Sequence, residues 1–303
     1  EVYRPAAAMP IALDARMRSQ PSDALEVTLG PEELIEGLKV LPGTLRVQRP
    51  GVSESHQIGF AFYPAVGVSE RSPALVVTPI LGGDNGIAKL LAKDLATHGF
   101  HAVIVDRRWS SSAGLGTTFE AVDSNLSDMI ADRRRAVDWL LTRPDVDPKR
   151  IGAYGVSLGG ITTVNLAASE PRVMASVVVM AGGDLPAVLC RSVERECVNV
   201  SRANGVPEGA SDAQREAFEV AARKVIEADP YALAPYVDPA SMLLFTTRRD
   251  TSVPSFLQER LREALGRPET CSLPTGHYSA VIYLPLILDR AREFLRRRFD
   301  AVE

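Results

Sequence analysis

Serine, aspartate and histidine occur in this chain in a pattern that suits acyl transfer. Ser157 stands at the centre of Gly155-Val156-Ser157-Leu158-Gly159. A serine hydroxyl attacks a carbonyl only when a base removes its proton, so it needs an imidazole within hydrogen-bond reach. Four histidines exist: His56, His98, His101 and His277. The imidazole in turn needs a carboxylate to fix its tautomer and stabilise its charged form. Asp250, in Arg248-Arg249-Asp250-Thr251-Ser252-Val253-Pro254, is the candidate, with Asp184 as its rival. Asp106 reads as a residue that shapes its own loop. Two sources of oxyanion donors are available: the N–H of Leu158, directly after the serine, and the loop Leu81-Gly82-Gly83. That loop lacks the rest of a phosphate cradle, since no G-x-G-x-x-G or G-K-[ST] accompanies it.

These groups must be carried to one place by the elements around them. The apolar run 151–156 reads as a buried strand, and residues after Ser157 as a helix to 169. The turn between them is tight enough that side chains at Gly155 and Gly159 would collide with neighbouring backbone. Short, largely apolar runs at 74–78, 101–105, 175–180 and 241–247 suit parallel strands covered on both faces, and a further strand is expected near 269–273. Helices are expected at 86–97, 123–143 and 253–265, and at the end of the chain, with Leu284, Leu288, Ala291, Leu295 and Phe299 on one face. Strand–helix alternation with right-handed crossovers gives an α/β fold: an open, mostly parallel sheet with helices on both faces. Such a sheet gathers the loops after its strands on one edge. Ser157, Asp250 and His277 all follow strands, whereas His56 and His101 begin strands and His98 ends a helix. His277 is therefore the expected base.

Residues 184–239 break the alternation. They hold no convincing strand, but a helix opened by the capping box Ser211-Asp212-Ala213-Gln214, with Ala217, Phe218, Ala221, Val225 and Ile226 as its apolar face. This segment is expected to be a helical lid, inserted before the strand that precedes the acid. At the other end, residues 1–43 read as an N-terminal arm and 44–303 as the main domain. The arm is expected to be extended to about residue 30, with a short helix at 31–38 closed by Pro42-Gly43. Strands at 44–49 and 56–64 then form a hairpin around Gly51-Val52-Ser53-Glu54.

The bulk composition excludes several classes. In 303 residues, 46% are hydrophobic and 24% charged, with a net charge of −4. This describes a globular protein with a large core. The basic run Arg296-Arg297-Arg298 ends a helix, where cations suit the dipole, so no nucleic-acid partner is expected. No apolar stretch approaches the roughly 20 residues of a membrane span. Cys190, Cys197 and Cys271 have no metal-binding spacing. Cys190 and Cys197 could pair if their segment is a loop, but seven residues apart on a helix they lie about 10 Å from each other. A chain that begins at Glu1, with an arm containing Pro5, Pro10 and Pro21, suits a protein exported after removal of a leader.

With these residues in hand, the chain resembles the α/β-hydrolases. Ser157, Asp250 and His277 follow that family's order of serine, acid and histidine. The run Val146-Asp147-Pro148-Lys149-Arg150-Ile151-Gly152, leading into Gly155-Val156-Ser157-Leu158-Gly159-Gly160, is similar to members near the dienelactone hydrolases and acyl-peptidase-type esterases. Pro79-Ile80-Leu81-Gly82-Gly83 stands where many members have His-Gly-x-Gly-Gly. By that match Leu81 supplies the second oxyanion donor, with Gly82 as the alternative. A serine nucleophile departs from the aspartate of the dehalogenase and epoxide-hydrolase branches and from the cysteine of dienelactone hydrolases.

The residues and the resemblance together lead us to expect a serine esterase that forms an acyl-enzyme on Ser157, without metal or organic cofactor. Its substrate would be a small-molecule ester, in a pocket shaped by residues 184–239 and 107–120, with Trp109 and Phe119 as candidate lining. The alternatives are an acyltransferase or amidase on the same residues, and a non-catalytic binding protein built on the same scaffold.

Overall fold

The parallel heart of the sheet forms where the apolar runs are continuous. The computed structural model describes residues 7–17, 25–49, 53–68, 70–82, 85–107 and 114–301. In chain order it places α1 (Ile11–Arg16), β1 (Val27–Leu29), β2 (Glu33–Ile35), β3 (Leu38–Val47), β4 (His56–Tyr63), β5 (Ser72–Thr78) and α2 (Gly86–Thr97). There follow β6 (His101–Val105), α3 (Phe119–Leu140), β7 (Val146–Val156), α4 (Leu158–Ser169) and β8 (Val173–Val179). Next come four helices, α5 (Leu185–Arg191), α6 (Arg195–Ala203), α7 (Asp212–Arg223) and α8 (Pro230–Leu233). The chain continues through β9 (Met242–Thr247), α9 (Ser255–Ala264), β10 (Glu269–Leu273) and α10 (Leu284–Asp300).

The strand order is β1-β3-β4-β6-β5-β7-β8-β9-β10, with β2 also paired to β3. From β6 to β10 every pairing is parallel, and the N-terminal strands join antiparallel. On one face, α2 and α10 bury Leu91, Leu95, Phe294 and Leu295 against Leu75, Val77, Val177 and Phe245. On the other, α3 buries Val137 and Leu140 against Val76, Val103 and Ala153. Alongside it, Ile161 and Val164 of α4 pack with Val178, Leu244 and the helices between β8 and β9. The sheet is thus mixed but mostly parallel and covered on both faces, as expected of an α/β fold.

The N-terminal region departs from the expectation. Residues 31–38 form no helix: β2 and β3 make a hairpin through Glu36 and Gly37, at φ 50° and 80°. Two successive left-handed residues make a turn whose twist matches paired strands. Glu-Gly is not a pair that advertises such a turn. Nor does Pro42 stop the strand. Its carbonyl accepts from Gly30 N at 2.9 Å, so its missing N–H faces that same side, between the stretches covered by β2 and β1. The ladder to β4 loses nothing there. Residues 27–43 accordingly belong to the sheet rather than to an extended arm, and α1 gives the earlier stretch a helical turn. Met17, just after it, is wholly buried. The tip of the β3–β4 connection, 50–52, lies outside the described residues.

Between β8 and β9 the segment is helical, and the capping box forms: Ser211 Oγ accepts from Gln214 N at 3.3 Å, and Gln214 Oε1 accepts from Ser211 N at 2.9 Å. The buried side of α7 differs from the expected face. Phe218, Glu219 and Ala222, with Ile226 just beyond the helix, point inward while Ala217 and Ala221 are exposed, and Glu219 makes ion pairs to Arg191 and Arg223.

Candidate active site

The turn between β7 and α4 places Ser157 at φ 57°, ψ −121°, a conformation that costs a side-chain-bearing residue free energy. The sequence around it tolerates no other path. A Cβ on Gly155 would overlap the Gly159 carbonyl, and one on Gly159 would overlap the carbonyl of Thr78 at the end of β5. Ser157 N donates to Val179 O at 2.8 Å, fastening the turn to β8. Leu158, the next residue, opens α4, so its N–H is among the first-turn groups that have no intrahelical acceptor.

Among the histidines only His277 meets the serine. Its Nε2 lies 3.1 Å from Ser157 Oγ, and its Nδ1 lies 2.8 Å from Asp250 Oδ2. The other three are engaged elsewhere. His56 Nε2 contacts Asp132 at 2.8 Å. His98 Nδ1 contacts the Asp94 carbonyl at 2.7 Å. His101 accepts from Ala65 N through Nδ1 and reaches the Asp145 carbonyl through Nε2, each at 3.0 Å. Burial pushes the His101 imidazole below its ordinary value, a neutral structural group.

Asp250 sits in the loop after β9, with its side chain sealed from solvent. Oδ1 accepts from Ser252 N and Val253 N, each at 2.9 Å. Oδ2 accepts from Thr247 Oγ1 at 2.8 Å and Gln258 Nε2 at 2.9 Å, besides His277. Burial alone would raise this carboxyl. The hydrogen bond and charge of His277, with the donors from Val253 and Thr247, outweigh it and hold the group below its usual range. The rival Asp184 is committed elsewhere: it accepts Arg223 through both carboxylate oxygens and pairs with Arg260. Thr247 and Gln258 are site residues that the spacing did not single out. The legible signal for Gln258 was a lone amide on the apolar face of α9, beside Leu257 and Leu261.

The loop after β5 is held from beneath. Arg107 donates to the Leu81 carbonyl, and Asn85 Nδ2 to Asp106 Oδ1 at 3.1 Å. Burial raises the Asp106 carboxyl, against the pull of Arg133 and the Asn85 bond. Asp106 thus ties the loop after β5, through Asn85, rather than its own loop, of which 108–113 lie outside the described residues. A trans peptide is rigid, so gripping the Leu81 carbonyl also fixes the direction of the Gly82 N–H, opposite to it. Phe119 stands edge-on to Phe218 of α7, with ring centroids 5.0 Å apart, in the packing between α3 and α7. Trp109 and Gly83 lie outside the described residues.

A second tie runs from the base to the helices between β8 and β9. Tyr278, next to His277, donates to Glu194 Oε1 at 2.8 Å, and Val193 N donates to Thr251 O at 3.2 Å. Between α5, α6 and the start of α9 lies a cleft of about 710 Å³, with Val193, Arg202, Thr251 and Phe256 on its walls. A cavity of about 940 Å³ lies away from the chemistry, at the edge where β8 and β9 begin. On its walls Arg134 pairs with Glu170 and Arg172 with Asp138. The cysteines are free; Cys190 and Cys197 sit on α5 and α6, and burial pushes Cys197 up to about 12. Among the described residues, no helix is long and apolar enough to cross a membrane.

Comparison with known proteins agrees with this architecture. The chain is 16% identical to an acetyl xylan esterase from Paenibacillus sp. R4, superposing over 92% of this chain and 99% of that one with a TM-score of 0.63. That likeness concerns the fold. Over 113 residues it is 34% identical to a thiohydrolase of Arthrinium phaeospermum, and over 111 residues 32% identical to a polyketide transferase of Stachybotrys chlorohalonatus. These stretches are 36% and 35% of this chain, and the chain spans about a third of the length of each of these curated relatives, 35% in both cases. The X-Pro dipeptidyl-peptidase (S15 family) model matches residues 33–224, from the N-terminal hairpin through the serine turn to α7. On that match the chain belongs to the X-Pro dipeptidyl-peptidase (S15) family, hydrolases of the α/β-hydrolase fold.

Proposed function

We propose that this protein hydrolyses carboxylic esters through an acyl-enzyme on Ser157. The observation that carries this reading is the unbroken line Ser157 Oγ, His277, Asp250, with contacts of 3.1 and 2.8 Å. His277 Nε2 takes the hydroxyl proton as Ser157 Oγ attacks the ester carbonyl. The same proton passes to the leaving alkoxide, and an alcohol departs. Water then enters, loses its proton to His277 and releases the acid, restoring the serine. Throughout, Asp250 holds Nδ1–H and stabilises the imidazolium. Negative charge on the tetrahedral oxygen falls to the Leu158 N–H and to an N–H of the loop after β5, at Leu81 or Gly82. Helices α5–α8 act as the lid and shape the acyl site.

The test is a panel of p-nitrophenyl esters of rising chain length, with fluorophosphonate labelling of Ser157. Labelling and turnover support the esterase. A protein that neither labels nor turns over is a binding scaffold instead.

A second reading changes only the leaving group. The X-Pro dipeptidyl-peptidase family favours an amide after proline, the thiohydrolase relative a thioester, and the polyketide transferase relative transfer to an acceptor. Each uses the same acyl-enzyme. An X-Pro p-nitroanilide and an acyl thioester, the latter with and without an added alcohol, separate these from the ester.

A further inference from the structure

The carboxylate of Asp250 is more heavily solvated by protein than orienting His277 requires. Oδ2 alone takes three donors: His277 Nδ1 at 2.8 Å, Thr247 Oγ1 at 2.8 Å and Gln258 Nε2 at 2.9 Å. Gln258 is 1% exposed and carried on the inward face of α9. Its amide does more than touch the acid. Nε2 also donates to the Val253 carbonyl at 2.8 Å, across the loop that holds Asp250. Oε1 accepts from Thr247 N at 2.9 Å, at the last residue of β9. One side chain thus binds the end of the strand, the far side of the loop and the carboxylate. The hydroxyl of Thr247 lies 3.0 Å from Nε2 and closes the ring.

We propose that Gln258, together with Thr247, is a positioning residue of this site: it holds Asp250 Oδ2 opposite His277 Nδ1 and takes a share of that oxygen's charge. This rests on the esterase reading above and deepens it. The physical reason is competition for one acceptor. Each further donor on Oδ2 lowers its basicity and weakens its hold on the imidazolium. Without such donors a buried carboxylate would hold the charged histidine too firmly, and the base would be spent at neutral pH. Gln258 can do this without adding charge, which a lysine or arginine in its place could not. The titratable groups near the carboxylate are His277, from the loop after β10, and Tyr278, whose hydroxyl is held by Glu194 from the start of α6. From α9 the contribution is the neutral amide.

The experiment compares Gln258→Met, which keeps the shape and removes the donors, with Thr247→Val and Thr247→Ser. The readouts are kcat and the pH profile of kcat/KM on a p-nitrophenyl ester, thermal melting, and fluorophosphonate labelling of Ser157. Loss of a donor to an ionised group corresponds to about 10- to 100-fold in kcat. Gln258→Met should show that loss, and the ionisation limiting kcat/KM at low pH should move upward by roughly half a pH unit. Thr247→Val should move the limb the same way, and Thr247→Ser should restore it. A purely structural amide would lower the melting temperature and leave the limb in place, which overturns the proposal. If Gln258→Met does not fold, the Thr247→Val and Thr247→Ser pair decides on the same limb. Wild type that turns over and labels, with an unmoved limb in the variants, sinks this inference and leaves the esterase standing. Wild type that does neither overturns both.

Discussion

Ser157 occupies a backbone conformation that an alanine or serine adopts only under constraint, and the constraint comes from the carbonyls around Gly155 and Gly159. Two outcomes follow at this scale. Ser157→Ala should abolish ester turnover with the melting temperature near wild type, since the side chain packs against little. Ser157→Gly should be equally inactive, yet more stable by on the order of 1 kcal/mol, because glycine removes the strain at φ 57°. Chemical denaturation checks the second; equal stability would mean that the turn stores no strain. For the acid, Asp250→Asn should lower kcat by on the order of 10⁴ by leaving His277 in the wrong tautomer. Asp184→Asn should instead lower stability, because Arg223 and Arg260 would lose a buried partner, while kcat changes little. A reversed ranking of the two kcat losses removes Asp250 from the mechanism. Because the Asp250 carboxyl is held low, its stabilising contribution is present above the ordinary carboxylate range and disappears as pH falls through its folded value. Ser157, Asp250 and His277 were legible because their roles demand particular residue types after particular strands. Gln258 carried a weaker mark: a lone amide beside Leu257 and Leu261 shows that it faces inward, but not that it meets the acid.

At the scale of elements, Asp229 offers the sharper pH test. It caps α8, and its Oδ1 accepts from both Leu185 N and Tyr231 N at 3.0 Å. Burial pushes its carboxyl up, against those two donors, and nearby Asp184 adds to the rise, giving about 6. An acid raised on folding binds more protons when folded. Its favourable contribution is complete below its unfolded value of about 4 and is lost as pH climbs through 6. Asp229→Asn keeps the acceptor and removes the charge. Above pH 7 this variant should therefore exceed wild type by on the order of 2 kcal/mol, and the gap should close toward pH 4. Urea melts at several pH values measure it; a gap that widens on acidification contradicts the assignment. Among the elements, β5 to β9 were readable because parallel strands covered on both faces need nearly unbroken apolar runs. The strands β1 and β2 were not, being three residues each and half solvated. β1 pairs with residues about 15 positions away, and β2 pairs through a Glu-Gly turn that composition does not mark.

Over the whole molecule, two aromatic rings join the helices before β9 to the body of the fold. Phe119 begins α3, Phe218 lies on α7, and both rings belong to one apolar cluster with α4. We expect Phe119→Ala to destabilise the fold, as deletion of a packed ring does, by about 3 kcal/mol or less given its partial exposure. Preference among short p-nitrophenyl esters should stay unchanged. A shifted chain-length optimum would instead place this ring in the acyl site. The cluster also takes in Met17, and charge stitches the same corner together: Arg16 pairs with Asp123 and Glu227, while Asp123 Oδ1 accepts from Glu227 N and Ala228 N. The partners Arg16 and Glu227 are separated by 211 positions in the chain. A ribosome adding about 5–20 residues per second takes on the order of 10–40 seconds to cover that interval. The corner therefore closes in two steps: Asp123 of α3 is made first, 107 positions after Arg16, and Glu227 only once α5, α6 and α7 have been added.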